Sequence, residues 1–312
     1  GCSGLTSLTI PSSVTKIGSC AFYGCSGLTS LTIPSSVTKI GIAAFEECSG
    51  LTSLTIPSNV TKIDESTFWG CSGLTSLTIP SSVTSIGDYA FYGCSGLTSL
   101  TIPSRVIKIG IAAFRDCSAL TSLTIPPSVI SIGIAAFRGC SALTSLTIPS
   151  CVTKIGGYTF LGCSALTNLT IPSRVTSIGE LAFAHCSGLT SLTIPSSVTS
   201  IDMNAFEDCS GLTSIYVYPE KLPKLGSDVF DGCDAKNCTV YVPTGTYDDY
   251  KVSEFGYFEK IVEFDATGIN NVTTSTDAKE VSRYSPNGQR LSAPTKGLNI
   301  VKYSDGSVKK VV

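Results

Sequence analysis

Residues 1–23, GCSGLTSLTIPSSVTKIGSCAFY, decide the fold, because this stretch returns nine more times along the 312-residue chain with a step of 23 residues that slips only in the last copy. A phenylalanine always lies three residues before the next cysteine, from Phe22 to Phe206. The cysteines that mark the steps are Cys2, Cys25, Cys48, Cys71, Cys94, Cys117, Cys140, Cys163, Cys186 and Cys209. A tandem repeat of this length predicts a solenoid, in which each coil buries its apolar residues by stacking on its neighbours.

The coils are numbered from these cysteines, so that coil 1 begins at Cys2 and coil 10 at Cys209. Coil 10 is one residue longer than the others, because Tyr218 is inserted before Pro219. Its sequence also departs from the repeat. End repeats differ in this way because their outer face meets a cap or solvent, and the array is therefore predicted to end at this coil.

Each coil has the alternation of apolar and polar residues that indicates two short strands. In coil 1, Leu8 and Ile10 face inward with a hydroxyl residue between them, and Pro11 ends the strand because proline donates no hydrogen bond to a ladder. A second strand is predicted over residues 14–17, and the segment that carries Phe22 is predicted to form a helical turn. Stacked copies of these residues form a continuous core.

The ladder cysteines are predicted to be reduced, buried thiols rather than disulfides. Equivalent residues on stacked coils lie about 4.8 Å apart with parallel Cβ directions, whereas a disulfide needs converging Cβ atoms about 3.5–4.5 Å apart. A buried thiol can instead donate a weak hydrogen bond to a backbone carbonyl. A stack of metal ions is the alternative, but metal sites need converging ligands, and the only histidine is His185. Cys20, Cys151 and Cys238 lie at other places in the repeat and have no evident partner.

The coil sequence resembles the BspA-like leucine-rich repeats, whose coils read approximately Leu-x-x-Leu-x-Ile-Pro-x-x-Val-x-x-Ile-x-x-x-Ala-Phe-x-x-Cys. Residues 1–230 carry this pattern. The resemblance implies an α/β repeat solenoid, right-handed, with a parallel sheet on its concave face and second short strands and helical turns on the other side. It also implies a secreted or cell-surface protein of the Bacteroidetes type, some of which are adhesins. It implies no particular ligand, because the fold serves many.

The chain is predicted to divide into a solenoid of ten coils (residues 1–233), a C-terminal cap (234–264), a linker (265–279) and a small β-module (280–312). In the cap, a final strand over residues 238–243 precedes an interrupted helical stretch, one face of which covers the open end of the core. The residues of that face are Tyr247, Tyr250, Phe255, Phe258, Ile261 and Val262.

The β-module has the turn signals Asn287-Gly288 and Asp305-Gly306 between apolar runs, a pattern that predicts hairpins. Its tail resembles the C-terminal β-modules of exported Bacteroidetes proteins, including type IX sorting domains, in the stretch Lys-Gly-Leu-x-Ile-Val and in the terminal Lys-Lys-Val-Val. The resemblance implies export by that route.

Composition excludes several classes of partner. With 21 Lys or Arg residues against 23 Asp or Glu residues, the chain is nearly neutral, and neither nucleic acid nor an anionic membrane is an expected partner. No apolar run reaches the about 18 residues that a membrane-spanning helix needs. No signal peptide is visible, and the chain starts inside a repeat without a methionine, so we expect that an N-terminal piece with its export signal or cap has been removed.

The sequence has no recognisable catalytic constellation. There is one histidine, no Gly-x-Ser-x-Gly motif and no phosphate-binding loop after a strand, and the acidic residues are scattered over different coils. The chain is therefore predicted not to be an enzyme and to need no cofactor and no metal.

The most variable outward positions mark a candidate binding patch. Exposed aromatic residues beside charges are typical of protein-binding surfaces, and packing onto the neighbouring coil is the alternative explanation. The outward face of the first strand, by contrast, is a uniform row of Thr and Ser, which suits either strand propensity and solubility or a repetitive ligand such as a glycan. The patch consists of the residues that follow the ladder phenylalanines in coils 1 to 6, namely Tyr23, Glu46, Trp69, Tyr92, Arg115 and Arg138.

The leading functional hypothesis is a non-enzymatic cell-surface or secreted protein that binds a host extracellular protein or glycan. The alternative is a structural spacer that presents another domain on the cell envelope, and the near-identity of the coils favours it. End-to-end self-association through the first coil is also expected, because its apolar residues would be exposed. These residues are Leu5, Leu8, Ile10, Val14, Ile17 and Phe22.

Overall fold

Each coil contributes short parallel strands that pair with the equivalent strands of the next coil. The structure, a computed structural model, describes residues 1–266, 280–284, 290–291, 299–303 and 308–311. The strands of the solenoid are β1 (Lys16–Ile17), β2 (Ser30–Thr32), β3 (Lys39–Ile40), β4 (Ser53–Thr55), β5 (Lys62–Ile63), β6 (Ser76–Thr78), β7 (Ser85–Ile86), β8 (Ser99–Thr101), β9 (Lys108–Ile109), β10 (Ser122–Thr124), β11 (Ser131–Ile132), β12 (Ser145–Thr147), β13 (Lys154–Ile155), β14 (Asn168–Thr170), β15 (Ser177–Ile178), β16 (Ser191–Ile194), β17 (Ser200–Ile201), β18 (Ser214–Val217) and β19 (Lys224–Leu225).

The even-numbered strands from β2 to β18 form a first column and the odd-numbered strands from β1 to β19 form a second column, so the molecule is a parallel β-solenoid. Equivalent residues are in register, and Leu54, for example, pairs with Leu77. In the strands β2 to β12 of the first column the leucine is buried while the Ser and Thr on either side are exposed. A slip of one residue would turn every leucine to solvent. The strict 23-residue period therefore determines the register.

The column of ladder phenylalanines fills the centre of the core. From Phe22 to Phe230, neighbouring rings have their centroids 5.2–5.7 Å apart and their planes within 12° of parallel. Burial of one such side chain stabilises the fold by about 1.5–3 kcal/mol, and each aromatic pair adds about 0.5–1.5 kcal/mol. This column is a strong physical reason for the coils to stack.

The segment around each ladder phenylalanine is a series of tight turns, not the helical turn predicted from the sequence. In coil 2, the N–H of Phe45 donates to the carbonyl of Thr67 in coil 3 (2.9 Å), and the N–H of Glu47 donates to that of Trp69 (2.6 Å). In a helix these N–H groups would donate to residues of their own coil. Ala43 and Glu47 adopt left-handed φ angles of 54° and 58°. Between these bonds the segment closes tight turns of its own, for example from the N–H of Glu46 to the carbonyl of Ala43 (3.2 Å), so the N–H groups alternate between their own coil and the next one.

The ladder cysteines are free thiols and, from Cys25 to Cys209, buried as predicted, whereas Cys2 is exposed. From Cys48 onward, each ladder thiol donates to the carbonyl of the ladder phenylalanine two coils earlier, for example Cys71 to Phe45 (3.0 Å) and Cys94 to Phe68 (3.1 Å). Burial raises the pKa of Cys48 to about 11 and raises the pKa of Cys94 well above its ordinary value. The thiols therefore stay protonated and keep their donor.

The cap contains β20 (Thr239–Pro243), helix α1 (Tyr247–Lys251), a 3₁₀ helix (Glu254–Tyr257) and β21 (Lys260–Phe264). The prediction that the helical stretch continues through residue 264 is wrong, because β21 is a strand that pairs parallel with β20. Val262 is 46% exposed as a result. The free edge of β20 outweighs the helical pattern, since pairing along it gives the five residues of β21 backbone partners in register.

Three aromatic side chains of the cap cover the end of the core, as predicted for Tyr250, Phe255 and Phe258, whereas Tyr247 is 40% exposed. The rings of Phe255 and Phe258 lie 5.0 and 5.2 Å from the ring of Phe230, the last member of the phenylalanine column. The hydroxyl of the buried Tyr250 donates to the carbonyl of a proline in coil 10 (2.7 Å). The cap therefore continues the core and satisfies its own buried polar group.

The C-terminal module contains four strands, β22 (Glu280–Tyr284), β23 (Arg290–Leu291), β24 (Asn299–Tyr303) and β25 (Val308–Val311). They form an antiparallel sheet in the order β23-β22-β24-β25. Residues 267–279 of the predicted linker and the two predicted hairpin turns lie outside the described residues.

The apolar residues of coil 1 are only partly open to solvent, which corrects the expectation that all six are exposed. Ile17 is buried because β1 pairs with β3 and places it against Ile40. Leu8 is 42% exposed. Coil 2 packs against one side of coil 1 and so covers part of the apolar side chains there. The partly buried residues are Leu5, Ile10, Val14 and Phe22.

Candidate binding site

The six predicted patch residues lie in one column along the solenoid, which we call the edge column: Tyr23, Glu46, Trp69, Tyr92, Arg115 and Arg138. From the second member onward, each backbone carbonyl of the column accepts a hydrogen bond from the preceding coil, for example Gly70 to Tyr92 (2.7 Å) and Gly93 to Arg115 (2.8 Å). These bonds hold consecutive members at the coil spacing, so that neighbouring side chains can touch.

Coils 3 and 4 hold three aromatic side chains in mutual contact, which we call the aromatic cluster: Trp69, Tyr89 and Tyr92. The ring centroid of Trp69 lies 4.7 Å from that of Tyr92 and 5.4 Å from that of Tyr89, and the two tyrosine rings are 6.3 Å apart. All three residues are partly buried. Rings at such distances attract each other, so the cluster is ordered before anything binds to it.

Arg115 extends the aromatic cluster into coil 5. Its guanidinium carbon lies 5.2 Å from the centroid of the Tyr92 ring, a geometry in which a cation and a ring attract each other. Its Nε atom lies 3.4 Å from the carboxylate of Asp116 without making a hydrogen bond. The ring and the carboxylate together position a positive charge beside the three aromatic side chains.

A second pair of a cation and a ring follows in coils 6 and 7. The guanidinium carbon of Arg138 lies 5.9 Å from the centroid of the Tyr158 ring. The hydroxyl of Tyr158 donates to the carboxylate of Glu180 (2.9 Å), and this hydrogen bond raises the pKa of Tyr158. Contacts between rings and charged groups therefore occur along this edge between coils 4 and 5 and again from coil 6 to coil 8.

The other two predicted members lie apart from the aromatic cluster. Tyr23 is 42% exposed and lies two coils away from Trp69, with Glu46 in the coil between them. Burial and the neighbouring charge of Glu47 raise the pKa of Glu46. The structure thus brings Trp69, Tyr92 and Arg115 together and leaves Tyr23 at the start of the column.

The sequence reasoning missed Tyr89 and Tyr158, each of which lies three residues before the edge position of its own coil but contacts a member of the edge column in space. Both occupy the same position of the repeat, where coils 5 and 6 have Ala112 and Ala135. Alignment of the coils position by position shows two tyrosines in this second variable position, and that signal would have found them.

Other surfaces of the solenoid have simpler chemistry. A shallow groove on the first-strand column is lined by serine and threonine side chains, including Ser53 and Thr55 of β4. The side chain of His185 lies 3.1 Å from the carboxylate of Asp208, and both are about half exposed. In the part of the chain that the structure describes, no three His, Cys, Asp or Glu side chains are grouped to hold a metal ion, and no helix is long and apolar enough to cross a membrane.

A stack of in-register parallel coils, with a buried leucine at the same place of the first strand in coils 2 to 9, defines a leucine-rich-repeat solenoid protein. Sequence comparison gives the family. The BspA type leucine rich repeat region matches the chain in six copies over residues 1–121 and 107–237, and the chain belongs to this family.

Solved structures of leucine-rich repeat proteins are similar to the chain. One from Bacteroides ovatus is 32% identical, with a TM-score of 0.72, over 83% of this chain and 69% of its own. A leucine rich cell surface protein from Faecalibacterium prausnitzii is 30% identical over 83% of this chain and 79% of its own, with a TM-score of 0.45. The pneumococcal vaccine antigen PcpA, 20% identical over the same shares with a TM-score of 0.50, has the same fold. No curated protein matches the chain, and none of these similarities indicates an enzyme family.

Proposed function

We propose that the protein is a non-enzymatic, cell-surface or secreted protein that binds a host extracellular protein or glycan through the edge column of coils 3 to 6. The observation that carries the proposal is the aromatic cluster with Arg115 beside it. The coils are otherwise nearly identical, yet consecutive edge positions hold Trp69, Tyr92, Arg115 and Arg138. Tryptophan, tyrosine and arginine supply most of the binding energy in protein interfaces.

The packing of the aromatic cluster supports binding by lowering its cost. Immobilising a flexible side chain on binding costs about 0.5–1.5 kcal/mol. Trp69 and Tyr92 already hold each other at 4.7 Å, and Tyr92 holds Arg115 at 5.2 Å. A ligand that stacks on these side chains therefore meets a surface that needs little ordering.

The cell-surface part of the proposal is supported by the resemblance of the repeats to exported BspA-like proteins and by the antiparallel sheet of β22 to β25. We assign to this C-terminal module a role in export like that of a type IX sorting domain. Residues 265–312, fused to a fluorescent reporter with a signal peptide, should bring the reporter to the cell surface of a Bacteroidetes host that has this secretion system. Reporter that stays in the periplasm would contradict the assignment.

Binding is tested on an array of extracellular-matrix proteins, mucins and glycans with the wild-type chain and a Trp69→Ala, Tyr92→Ala double variant. The matched control is Leu161→Ala, which truncates an apolar residue at the same repeat position in coil 7. Saturable binding by the wild type and the control, with at least tenfold weaker binding by the double variant, is the expected result. Equal binding by all three chains would remove the aromatic cluster from the proposal.

The alternative function is a structural spacer, and one observation favours it. The three rings of the aromatic cluster are partly buried against each other, which is also what packing between coils requires. A spacer predicts that the double variant lowers the melting temperature while the wild type binds nothing on the array.

A further inference from the structure

Coils 5 and 6 expose four isoleucines, which we call the isoleucine patch: Ile107 (53% exposed), Ile111 (40%), Ile130 (60%) and Ile134 (52%). They occupy the same two positions in both coils. At the first position the flanking coils have Thr84 and Thr153, and at the second they have Asp88 and Gly157. Two neighbouring coils therefore replace polar or small surface residues by large apolar ones.

The fold does not require isoleucine at the first of these positions. In the coils with threonine, the hydroxyl donates to the backbone of the preceding coil, for example Thr84 to the carbonyl of Thr61 and Thr176 to that of Thr153, both at 3.2 Å. Isoleucine has no such donor. Because both residues are β-branched and favour strands to a similar degree, the exchange loses a hydrogen bond and gains no strand propensity.

The patch spans adjacent coils and adjoins the aromatic cluster. The N–H of Ile130 donates to the carbonyl of Ile107 (3.1 Å), and the N–H of Tyr89 donates to the carbonyl of Ile111 (2.7 Å). Single exposed apolar residues, such as Ile42 in coil 2, are ordinary on protein surfaces. Grouped ones mark interaction surfaces, and these four lie on two consecutive, hydrogen-bonded coils.

The patch lies in a basic part of the solenoid. Coils 5 and 6 (residues 94–139) contain four cationic side chains, Arg105, Lys108, Arg115 and Arg138, and a single acidic one, Asp116. Arg105 and Lys108, which flank Ile107 in the chain, are exposed, and neither forms an ion pair within the described residues. Coils 3 and 4 (residues 48–93) have one cationic and three acidic side chains. The charge of the solenoid therefore changes sign where the isoleucines begin.

We propose that the isoleucine patch is the docking surface for an acidic, apolar segment of a partner protein, whose aliphatic or aromatic side chains cover the isoleucines while its carboxylates pair with Arg105 and Lys108. The inference rests on the proposed binding function and adds the class of partner, a protein rather than a neutral glycan. A neutral glycan offers hydroxyl groups, which would lose hydrogen bonds to water against four aliphatic side chains and would leave the free cations without a counter-charge.

The test is a selection of random 12-residue peptides, displayed on phage, against the full wild-type chain. The enriched peptides are synthesised, and their dissociation constants are measured by fluorescence anisotropy with the wild type and with an Ile107→Thr, Ile130→Thr variant. We expect enriched peptides that combine Leu, Ile or Phe with Asp or Glu, and at least tenfold weaker binding to the variant. Because threonine occurs at this position in most coils, the variant should keep the melting temperature of the wild type.

A relocated patch separates the apolar contribution from the charge contribution. Adding Thr61→Ile and Thr84→Ile to the variant places the same apolar pair in the acidic coils 3 and 4. We expect that this chain does not regain binding of the acidic peptides. Regained affinity would show that apolar surface alone suffices and would overturn the acidic part of the proposal.

Other outcomes overturn the proposal in distinguishable ways. Peptides that bind the wild type and the Ile107→Thr, Ile130→Thr variant equally, but lose affinity for the Trp69→Ala, Tyr92→Ala variant, would leave the proposed function standing and refute the isoleucine patch. Self-association in sedimentation velocity that the isoleucine variant abolishes would make a second copy of the chain the occupant. Enrichment of no peptide, or of peptides without acidic residues, would also refute it.

Discussion

Phe114 and Arg115 are neighbours in the chain, yet they belong to regions of the molecule that follow opposite rules. The interior position holds phenylalanine in every coil from 1 to 10, whereas the edge position holds tyrosine, glutamate, tryptophan, arginine, leucine, alanine or aspartate. Phe114 is fully buried between two like rings, at 5.2 and 5.6 Å. A change there disturbs two coil interfaces, while a change at the edge mainly alters a surface. Stability and recognition are therefore carried by adjacent residues that point in different directions.

The difference between interior and edge is predicted to be largest at high pH, where ionisation of the buried thiols unfolds the solenoid. Burial raises the pKa of Cys233 and Cys238 to about 12 and the pKa of Cys117 well above its ordinary value of 9.0. In the unfolded chain these thiols ionise near pH 9, so their stabilisation is full below that pH and is lost as the pH rises toward the folded-state pKa. A fully buried thiol loses about 1.4 kcal/mol per pH unit in this range. Because many buried thiols of the ladder contribute, the total loss in the free energy of unfolding is expected to exceed that caused by any single substitution.

Urea denaturation at pH 8, 9 and 10 measures this loss as the change in the free energy of unfolding. A Cys117→Ala, Cys140→Ala variant removes two of the buried thiols, so its free energy of unfolding should fall less steeply with pH, by about 2.7 kcal/mol per pH unit. The same pH slope in the variant and the wild type would show that the thiols do not cause the alkaline transition.

Substitutions of the chain neighbours Phe114 and Arg115 are expected to give the next largest change in the free energy of unfolding. Phe114→Ala should lower the free energy of unfolding by about 3–5 kcal/mol, because it opens a cavity in the phenylalanine column. Arg115→Ala removes the contact with Tyr92 and the partly exposed ion pair with Asp116, and should cost about 0.5–1 kcal/mol. Urea denaturation of both variants measures the difference. Similar costs for the two substitutions would mean that the edge is part of the core, as the spacer hypothesis requires.

The smallest expected effect tests the backbone that joins the two regions. Gly93, next to the edge residue Tyr92, has a left-handed φ of 68°, and a Cβ there would have no neighbour closer than 3.8 Å. Gly93→Ala should therefore destabilise through the backbone alone, by about 1 kcal/mol. Glu47 occupies the same position of coil 2 with a φ of 58°, so Glu47→Gly should be neutral or slightly stabilising. Thermal unfolding of both variants is the measurement, and a lower melting temperature for Glu47→Gly would refute the role of this φ angle.

Several parts of the fold were predictable because every coil repeats the same pattern of apolar and polar residues. Leu54 must face inward if Leu77 does, since register shifts are costly in a stack of identical strands. The state of the thiols followed from the coil spacing in the same way. The strand β21 was not predictable from its pattern, because the unpaired edge of β20 that it covers exists only after the solenoid has formed.

The candidate site was predictable in part for a related reason. The edge column follows from the period, so Trp69, Tyr92 and Arg115 were placed together from their spacing alone. Tyr89 lies at a different position of the repeat and meets Trp69 only because the turn carries its backbone to the left-handed φ of 56°. The 23-residue period of the sequence does not predict that φ angle.

The sequence by itself determined the solenoid, its register, its buried ladders and the order of residues along the edge, because a repeated pattern allows apolar residues to be buried in a single way. The tertiary structure alone decided which variable positions touch, which isoleucines of coils 5 and 6 are exposed, and how the last coil is closed. These features depend on contacts between positions that differ from coil to coil. The contacts that stabilise these features form only when the backbone turns bring the side chains together in three dimensions.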